Sequence, residues 1–220
     1  MKKYPEYIQR ALEAMKIDAL NPMQEAAVDA WGEGRDLVLL SPTGSGKTLA
    51  YLLPVLGRLQ PEVEGVQAVV LVPSRELALQ TEQVFRSMGT AFKAVSCYGG
   101  RPAMEEHRTL KGLRPAVVIA TPGRMNDHLG KGNIDAATVR TLVIDEFDKS
   151  LELGFHDEME SVISRLPSLR RRFLLSATDA DEIPHFAGVG QEAIRLDFLN
   201  DEEQIPSRIR LHVVHSPEKG

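Results

Sequence analysis

The sequence predicts an α/β fold, a doubly wound and mostly parallel sheet with helices on both faces. Two observations carry that expectation. Short apolar runs recur along the chain and most lack polar alternation, the pattern of strands buried on both faces. Between them lie amphipathic stretches long enough to be crossover helices, which right-handed βαβ connections place on the two sides of one sheet. The 220 residues, 43% apolar and 26% charged, suit one large domain, or one domain with a short appendage, around a real core.

Taken in order, Asn21-Pro22 opens the first well-marked helix, with an N-cap side chain followed by proline at the first helical position. DLVLL (36–40) gives the first strand and QAVVLV (67–72) the second, followed by the helical SRELALQTEQVFRSM. FKAVSC (92–97) is the next strand, and PAMEEHRTLKGL its crossover helix. AVVIA (116–120) follows, and Thr121-Pro122 repeats the helix start. TLVID (141–145) and RFLLS (172–176) complete the set. Residues 1–35 are therefore expected as helices ahead of the sheet, 36–198 as the sheet domain, and 199–220 as a linker and the start of something new. LNDEEQIP (199–206) is acidic and ends in proline, and RIRLHVVHS after it alternates like a fresh strand.

The formal charge of −5 argues against a simple polyanion binder, so any phosphate binding must come from local placement of Arg, Lys and backbone N–H groups. The six histidines form no metal pattern; His212 and His215 would point to opposite faces of a strand. The single cysteine, Cys97, cannot form an internal disulfide and reads as a small buried hydrophobe in a strand. The opening MKKYPEYIQR has no apolar h-region, and no apolar run approaches the roughly 20 residues that span a bilayer. These features lead us to expect a cytoplasmic, membrane-free protein. Arg170 to Arg172 form the most obvious basic run, and before a strand it reads as a solvated turn.

SPTGSGKT (41–48) follows the first strand and precedes a helix. Gly44 and Gly46 let the backbone turn its N–H groups around an anion, and the helix starting near Lys47 adds its positive dipole end. Lys47 supplies a point charge for β and γ phosphates and Thr48 a hydroxyl for Mg²⁺. Ser41 stands where the usual phosphate-binding loop has its first glycine, while the GSGKT end is intact. This is a nucleoside triphosphate site. Such a loop needs an acid at the end of a neighbouring strand to hold Mg²⁺, largely through water, and TLVIDEFD (141–148) supplies Asp145 there. Glu146, next in line, can orient and polarise an attacking water.

With these motifs in hand, the chain resembles the DEAD-box RNA helicases from about Tyr7 to its end. SPTGSGKT is similar to the family's A-x-T-G-x-G-K-T form, and PSRELALQ (73–80) to P-T-R-E-L-A. YGG (98–100), TPGR (121–124), DEFD in place of D-E-A-D, and SAT (176–178) follow in the family's order. NPMQ (21–24) resembles the glutamine motif.

The resemblance implies a RecA-like P-loop domain that uses ATP and Mg²⁺. The nucleotide would be held by Ser41, Pro42, Thr43, Gly44, Ser45, Gly46, Lys47 and Thr48. Gln24 would pair with the adenine edge, and Tyr7, seventeen residues earlier, would stack on its ring. Lys47, Asp145 and Glu146 would be catalytic, with Thr48 and Asp145 at the metal. RNA would run over Pro73, Ser74 and Arg75, then Gly99, Gly100 and Arg101, then Thr121, Gly123 and Arg124. The alternative for Arg75 or Arg124 taken alone is an interior ion pair that positions a loop. Ser176 and Thr178 would hydrogen-bond Asp148 and Glu146, coupling the phosphate site to the RNA face. The partners implied are RNA and a second RecA-like domain of the same, monomeric chain; nothing after SAT matches that second domain's motifs. Two other readings stay open: a DNA translocase, and an ATP-gated RNA clamp in which Phe147 of DEFD disturbs coupling. Phe147 itself is expected to pack its ring into the interior.

Overall fold

Alternate residues of the first strand point into two different cores, and this sets the layering. In β1 (Leu37–Leu40), Leu37 and Leu39 belong to one buried cluster, Val38 and Leu40 to another. Period-2 side chains, apolar on both faces, demand helices above and below the sheet. The computed structural model describes residues 4–100, 102–178, 183, 185–190 and 192–200. The linker and tail from 201 onward, with His212 and His215, lie outside the described residues, as does Arg101.

The remaining strands are β2 (Ala68–Leu71), β3 (Ala94–Cys97), β4 (Val117–Ala120), β5 (Thr141–Ile144), β6 (Arg171–Ser176) and β7 (Ile194–Asp197). All pairings are parallel, in the order β3-β4-β2-β5-β6-β1-β7. Six strands coincide with the apolar runs. β7 was not among them, because its side chains alternate between half-buried and exposed on the sheet edge beside β1.

Helices α1 (Glu6–Met15), α2 (Pro22–Gly32), α3 (Lys47–Leu56) and α4 (Arg75–Ser87) bury their apolar sides in one cluster. Ile8, Leu12, Met23 and Trp31 share that cluster with Leu52 and Phe173, so the N-terminal helices are continuous with the sheet core. Trp31 stacks on Phe173 at 5.5 Å between ring centroids, and Tyr51 meets the same ring edge-on at 6.3 Å. The other helices are α5 (Ala103–Leu113), α6 (Pro122–Gly130), α7 (Phe147–Glu152) and α8 (His156–Ser164), and the second cluster takes Leu110, Met125, Phe147 and Met159 from them.

Asn21 caps α2 as expected, its side chain accepting from Gln24 N while Gln24 Oε1 accepts from Asn21 N, a reciprocal capping box. Thr121 stands at the N-cap of α6 with Pro122 behind it, but its hydroxyl makes no cap bond; proline's fixed φ and the Met125 N–H to Thr121 O bond start that helix. No helix among the described residues is long and apolar enough to cross a membrane.

Candidate active site and nucleic-acid face

Register brings the loops of three adjacent strands together. Leu40 of β1 pairs with Ser176 of β6, and Ser41 N donates to Ser176 O at 3.0 Å just beyond. On the other side of β6, Ile144 of β5 pairs with Leu174. The carboxyl end of the β5-β6-β1 half therefore presents residues 41–48, 145–148 and 176–178 side by side.

Gly44 and Gly46 both have left-handed φ, +82° and +91°. Gly44 faces open space, whereas a Cβ on Gly46 would come within 2.6 Å of Gln24 Nε2, so Gly46 is required twice over. Ser41, fully buried, donates its hydroxyl to Ser45 Oγ at 2.7 Å, filling the place of the missing glycine with an internal tie. Pro42 and Thr43 are exposed at the rim. Lys47 is buried and donates to the carbonyls of Ser41 at 2.6 Å and Pro42 at 3.1 Å. Burial lowers its pKa below the ordinary lysine value, opposed by the charges of Asp145, Glu146 and Asp148.

Asp145 is 3% exposed at the end of β5. Burial pushes its carboxyl up to about 6, against the pull of Lys47, and the neighbouring Glu146 charge adds to the rise. Asp145 Oδ1 accepts from Glu146 N at 2.9 Å. Glu146 sits at φ 49°, ψ 53°, left-handed for a residue with a Cβ, at the N-cap of α7. Such strain costs on the order of 1–2 kcal/mol and clusters at functional positions. Phe147 is 2% exposed in the second core cluster, so the ring packs inward as expected. Asp148 Oδ2 accepts from Thr178 Oγ1 at 3.0 Å, while Ser176 Oγ turns to Thr178 O at 2.7 Å. No hydrogen bond from Ser176 or Thr178 reaches Glu146 among the described residues.

Gln24 Nε2 donates to Gly46 O at 3.2 Å, and Asn21 Nδ2 donates to Ser45 O at 3.0 Å, so the start of α2 is pinned to the phosphate loop. The carboxamide keeps one N–H and one lone pair for a ligand. Tyr7 is not brought to Gln24. Its ring lies against Gly57, where a Cβ would come within 2.5 Å, at the opposite end of α3 from Gly46. A half-buried aromatic gains more by covering the apolar end of α3 than by reaching roughly 15 Å along it, at 1.5 Å per residue.

The β3-β4-β2 half of the same edge carries the other loops. Ser74 Oγ caps α4 by accepting from Leu77 N at 3.2 Å, beside the buried Pro73. Arg75 is exposed, its guanidinium 5.0 Å above the Tyr98 ring. Gly99 and Gly100 are exposed, the latter at φ +88°. Thr121 is half-buried and Gly123 exposed with open space around it. Arg124 turns inward: it is 13% exposed, donates from Nε and Nη2 to Tyr98 O at 3.2 Å, and lies 3.3 Å from Glu106. In this geometry Arg124 positions the 98–100 loop.

Two groups escaped the sequence reading. Tyr51 is fully buried on α3 with its hydroxyl 3.4 Å from Thr81 Oγ1, and burial, then the charge of Asp145, raises its pKa well above the ordinary tyrosine value. Glu106, also buried, accepts from Tyr98 N at 2.9 Å and meets His128 Nε2 at 2.8 Å. Cys97, Glu106 and His128 lie close enough together to hold a metal, but the Arg124 guanidinium already supplies Glu106 with its positive charge. Neither position matches a local motif, so nothing in the sequence marked them.

Residues 21–185 match the profile of the DEAD/DEAH box helicase family. The ATP-dependent RNA helicase CshA of Listeria monocytogenes is 34% identical over 83% of the chain and 36% of that protein. The ATP-dependent RNA helicase DeaD of Haemophilus influenzae is 31% identical over 97% of the chain and 34% of its own length. The chain thus spans about a third of these relatives. Among solved structures, a DEAD box protein from Methanococcus jannaschii is similar with TM-score 0.81 and 25% identity, covering 89% of this chain and 54% of that one. The phosphate loop, the DEFD turn and the fold agree with that kinship: the chain belongs to the DEAD/DEAH box helicase family.

Proposed function

We propose that this chain is the ATP-binding part of an ATP-dependent RNA helicase, with ATP and Mg²⁺ at the β5-β6-β1 half of the sheet and RNA along the β3-β4-β2 half. The observation that carries the reading is the split of one sheet edge into a lysine–carboxylate cluster and a neighbouring set of glycine, serine and arginine loops. The donor set fits the nucleotide: left-handed Gly44 and Gly46 form a cradle free of Cβ atoms, Lys47 stands in it, and Gln24 has an unused donor and acceptor. It also fits the metal, because a buried carboxylate with a raised pKa, Asp145, is stabilised by a divalent cation. Bound Mg²⁺ would supply charge stabilisation for the transferring phosphoryl group.

The chain's own residues would do the rest. Lys47 releases its loop carbonyls and turns to the β and γ phosphates; Thr48 and Asp145 hold the metal, largely through water; Glu146 orients the attacking water. Thr121, Gly123 and the exposed Gly99 and Gly100 leave room for a sugar–phosphate chain, and Arg75 supplies charge without reading bases. A second RecA-like domain would supply the remaining charge at the γ phosphate, and closure of the two would strain a local duplex apart. We also assign the protein to the cytoplasm and to a monomeric state, which cell fractionation and sedimentation test. The function is tested by ATPase stimulation with RNA and with DNA of matched sequence in a protein carrying both domains. RNA-selective stimulation is expected; equal stimulation by DNA would favour a translocase instead.

A further inference from the structure

The opposite end of the sheet holds a basic cavity that the reaction does not use. It is a half-open concavity of about 590 Å³ at the amino ends of β2, β5 and β6, and its walls include Arg58, Arg140, Arg170 and Arg171. No aspartate or glutamate lines it. Arg58, Arg140 and Arg170 are exposed and make no ion pair among the described residues. Arg171 stacks 3.9 Å from the Trp31 ring and donates from Nη2 to Trp31 O at 3.0 Å, while its Nε is buried without a partner. Burial, then the charge of Arg58, lowers the Arg171 pKa, so the two cations sense each other. Asp36, the acid that acts on Arg171, is committed to Arg172, accepting its N–H at 2.7 Å and lying 3.7 Å from its guanidinium.

The run Arg170–Arg172 is therefore not a solvated turn. Its members divide among the cavity rim, an aromatic stack and an ion pair. Four guanidiniums gathered from three segments around one concavity repel one another, and the apolar walls at Leu59 and Val63 strengthen that repulsion. An anion that several of them share removes the cost. Guanidinium forks match phosphate oxygens two at a time. The volume lies in the small-ligand range of roughly 300–1,000 Å³. A nucleic-acid strand spreads single charges along a line, which a compact cluster matches poorly.

We propose that this cavity is a second anion site, separate from the Lys47 loop, that takes a compact oligophosphate: a di- or triphosphate, either free or carried by a nucleoside. Calorimetric titration of the 220-residue chain with inorganic tripolyphosphate near physiological salt tests it. Two binding events are expected, of which Lys47→Ala removes one. Adding Arg140→Ser and Arg170→Ser to that variant should weaken the remaining event by at least ~10-fold while the melting temperature stays within about 2 °C, because both side chains are exposed. Arg140→Lys with Arg170→Lys, keeping charge but losing the fork, should fall between. Titrating ADP into Lys47→Ala separates the sources: binding as tight as tripolyphosphate assigns the site to nucleotides, and much weaker binding assigns it to free oligophosphate. The proposal is overturned if Lys47→Ala binds no tripolyphosphate up to millimolar concentration, or if the arginine substitutions leave its binding unchanged. It is equally overturned if a single-stranded RNA occupies the cavity and tripolyphosphate cannot displace it.

Discussion

Thr178 Oγ1 donates to Asp148 Oδ2 at 3.0 Å, and Ala177 N donates to the same oxygen at 3.3 Å, so the end of β6 is tied to the first turn of α7. The other oxygen of Asp148, Oδ1, is buried without a partner among the described residues. Charge-assisted hydrogen bonds of this kind are worth about 1.5–3 kcal/mol when buried and less when exposed, as Thr178 is. Thr178→Val keeps the shape and removes the donor. We expect a stability loss of about 1 kcal/mol or less, unchanged ADP affinity, and a several-fold fall in RNA-stimulated ATPase in a two-domain protein. Equal loss of basal and stimulated rates would mean that this bond does not couple the two halves of the edge.

Asp145 gives a pH signature. Its folded pKa, about 6, lies above the ordinary 3.8, so the folded chain holds that proton more tightly than the unfolded chain does. The stabilisation from the protonated form is complete below about pH 4 and is lost as pH rises through about 6, leaving a penalty of roughly 3 kcal/mol at neutral pH without metal. In chelator, Asp145→Asn should therefore be more stable than the parent at pH 7.5 by about 1–3 kcal/mol, with the gap closing toward pH 4.5. Urea unfolding at several pH values reads this directly. A gap independent of pH would place the shift elsewhere.

The two loop glycines separate backbone strain from steric conflict. Gly44→Ala meets open space and carries only the cost of a left-handed φ, on the order of 1 kcal/mol. Gly46→Ala adds a methyl 2.6 Å from Gln24 Nε2 and must also break that side chain's bond to Gly46 O. We expect Gly46→Ala to lose at least a further 1 kcal/mol of stability and nearly all nucleotide binding, with Gly44→Ala intermediate in both. Thermal melts with and without ADP distinguish them, and identical behaviour would show that Gln24 yields freely.

The strands and the phosphate loop were legible because their signals are local: unbroken apolar runs, glycines before a Lys-Thr pair, and acids ending a strand. The sheet partition was legible in outline, since βα loops in parallel sheets gather at one edge. What escaped depends on the path of the chain. Tyr7 lies seventeen positions before Gln24, yet α1 delivers it to Gly57 at the far end of α3. Arg58 and Arg140 stand far apart in sequence, and only strand order brings them to one cavity. β7 escaped because an edge strand alternates and lacks the buried signature.

Glu106 is a positioning residue whose effect should appear at the RNA loops and not at the nucleotide. One carboxylate, 3% exposed, accepts from Tyr98 N, pairs with Arg124 at 3.3 Å and meets His128 at 2.8 Å. Removing one partner of a buried charge pair typically costs 3–5 kcal/mol, because the other is left uncompensated. Glu106→Gln preserves volume and one acceptor, so a smaller loss of about 1–3 kcal/mol is expected, read by urea unfolding. Deprived of the Glu106 charge, Arg124 keeps its bonds to Tyr98 O but holds the 98–100 and 121–124 loops together less firmly, and RNA affinity should fall several-fold while ADP affinity in the phosphate loop stays within about two-fold. Restoring the carboxylate as Glu106→Asp, one methylene shorter, should recover the charge without the reach to Tyr98 N. Stability should then return more fully than RNA affinity. Parallel recovery of the two would reduce Glu106 to a simple packing role.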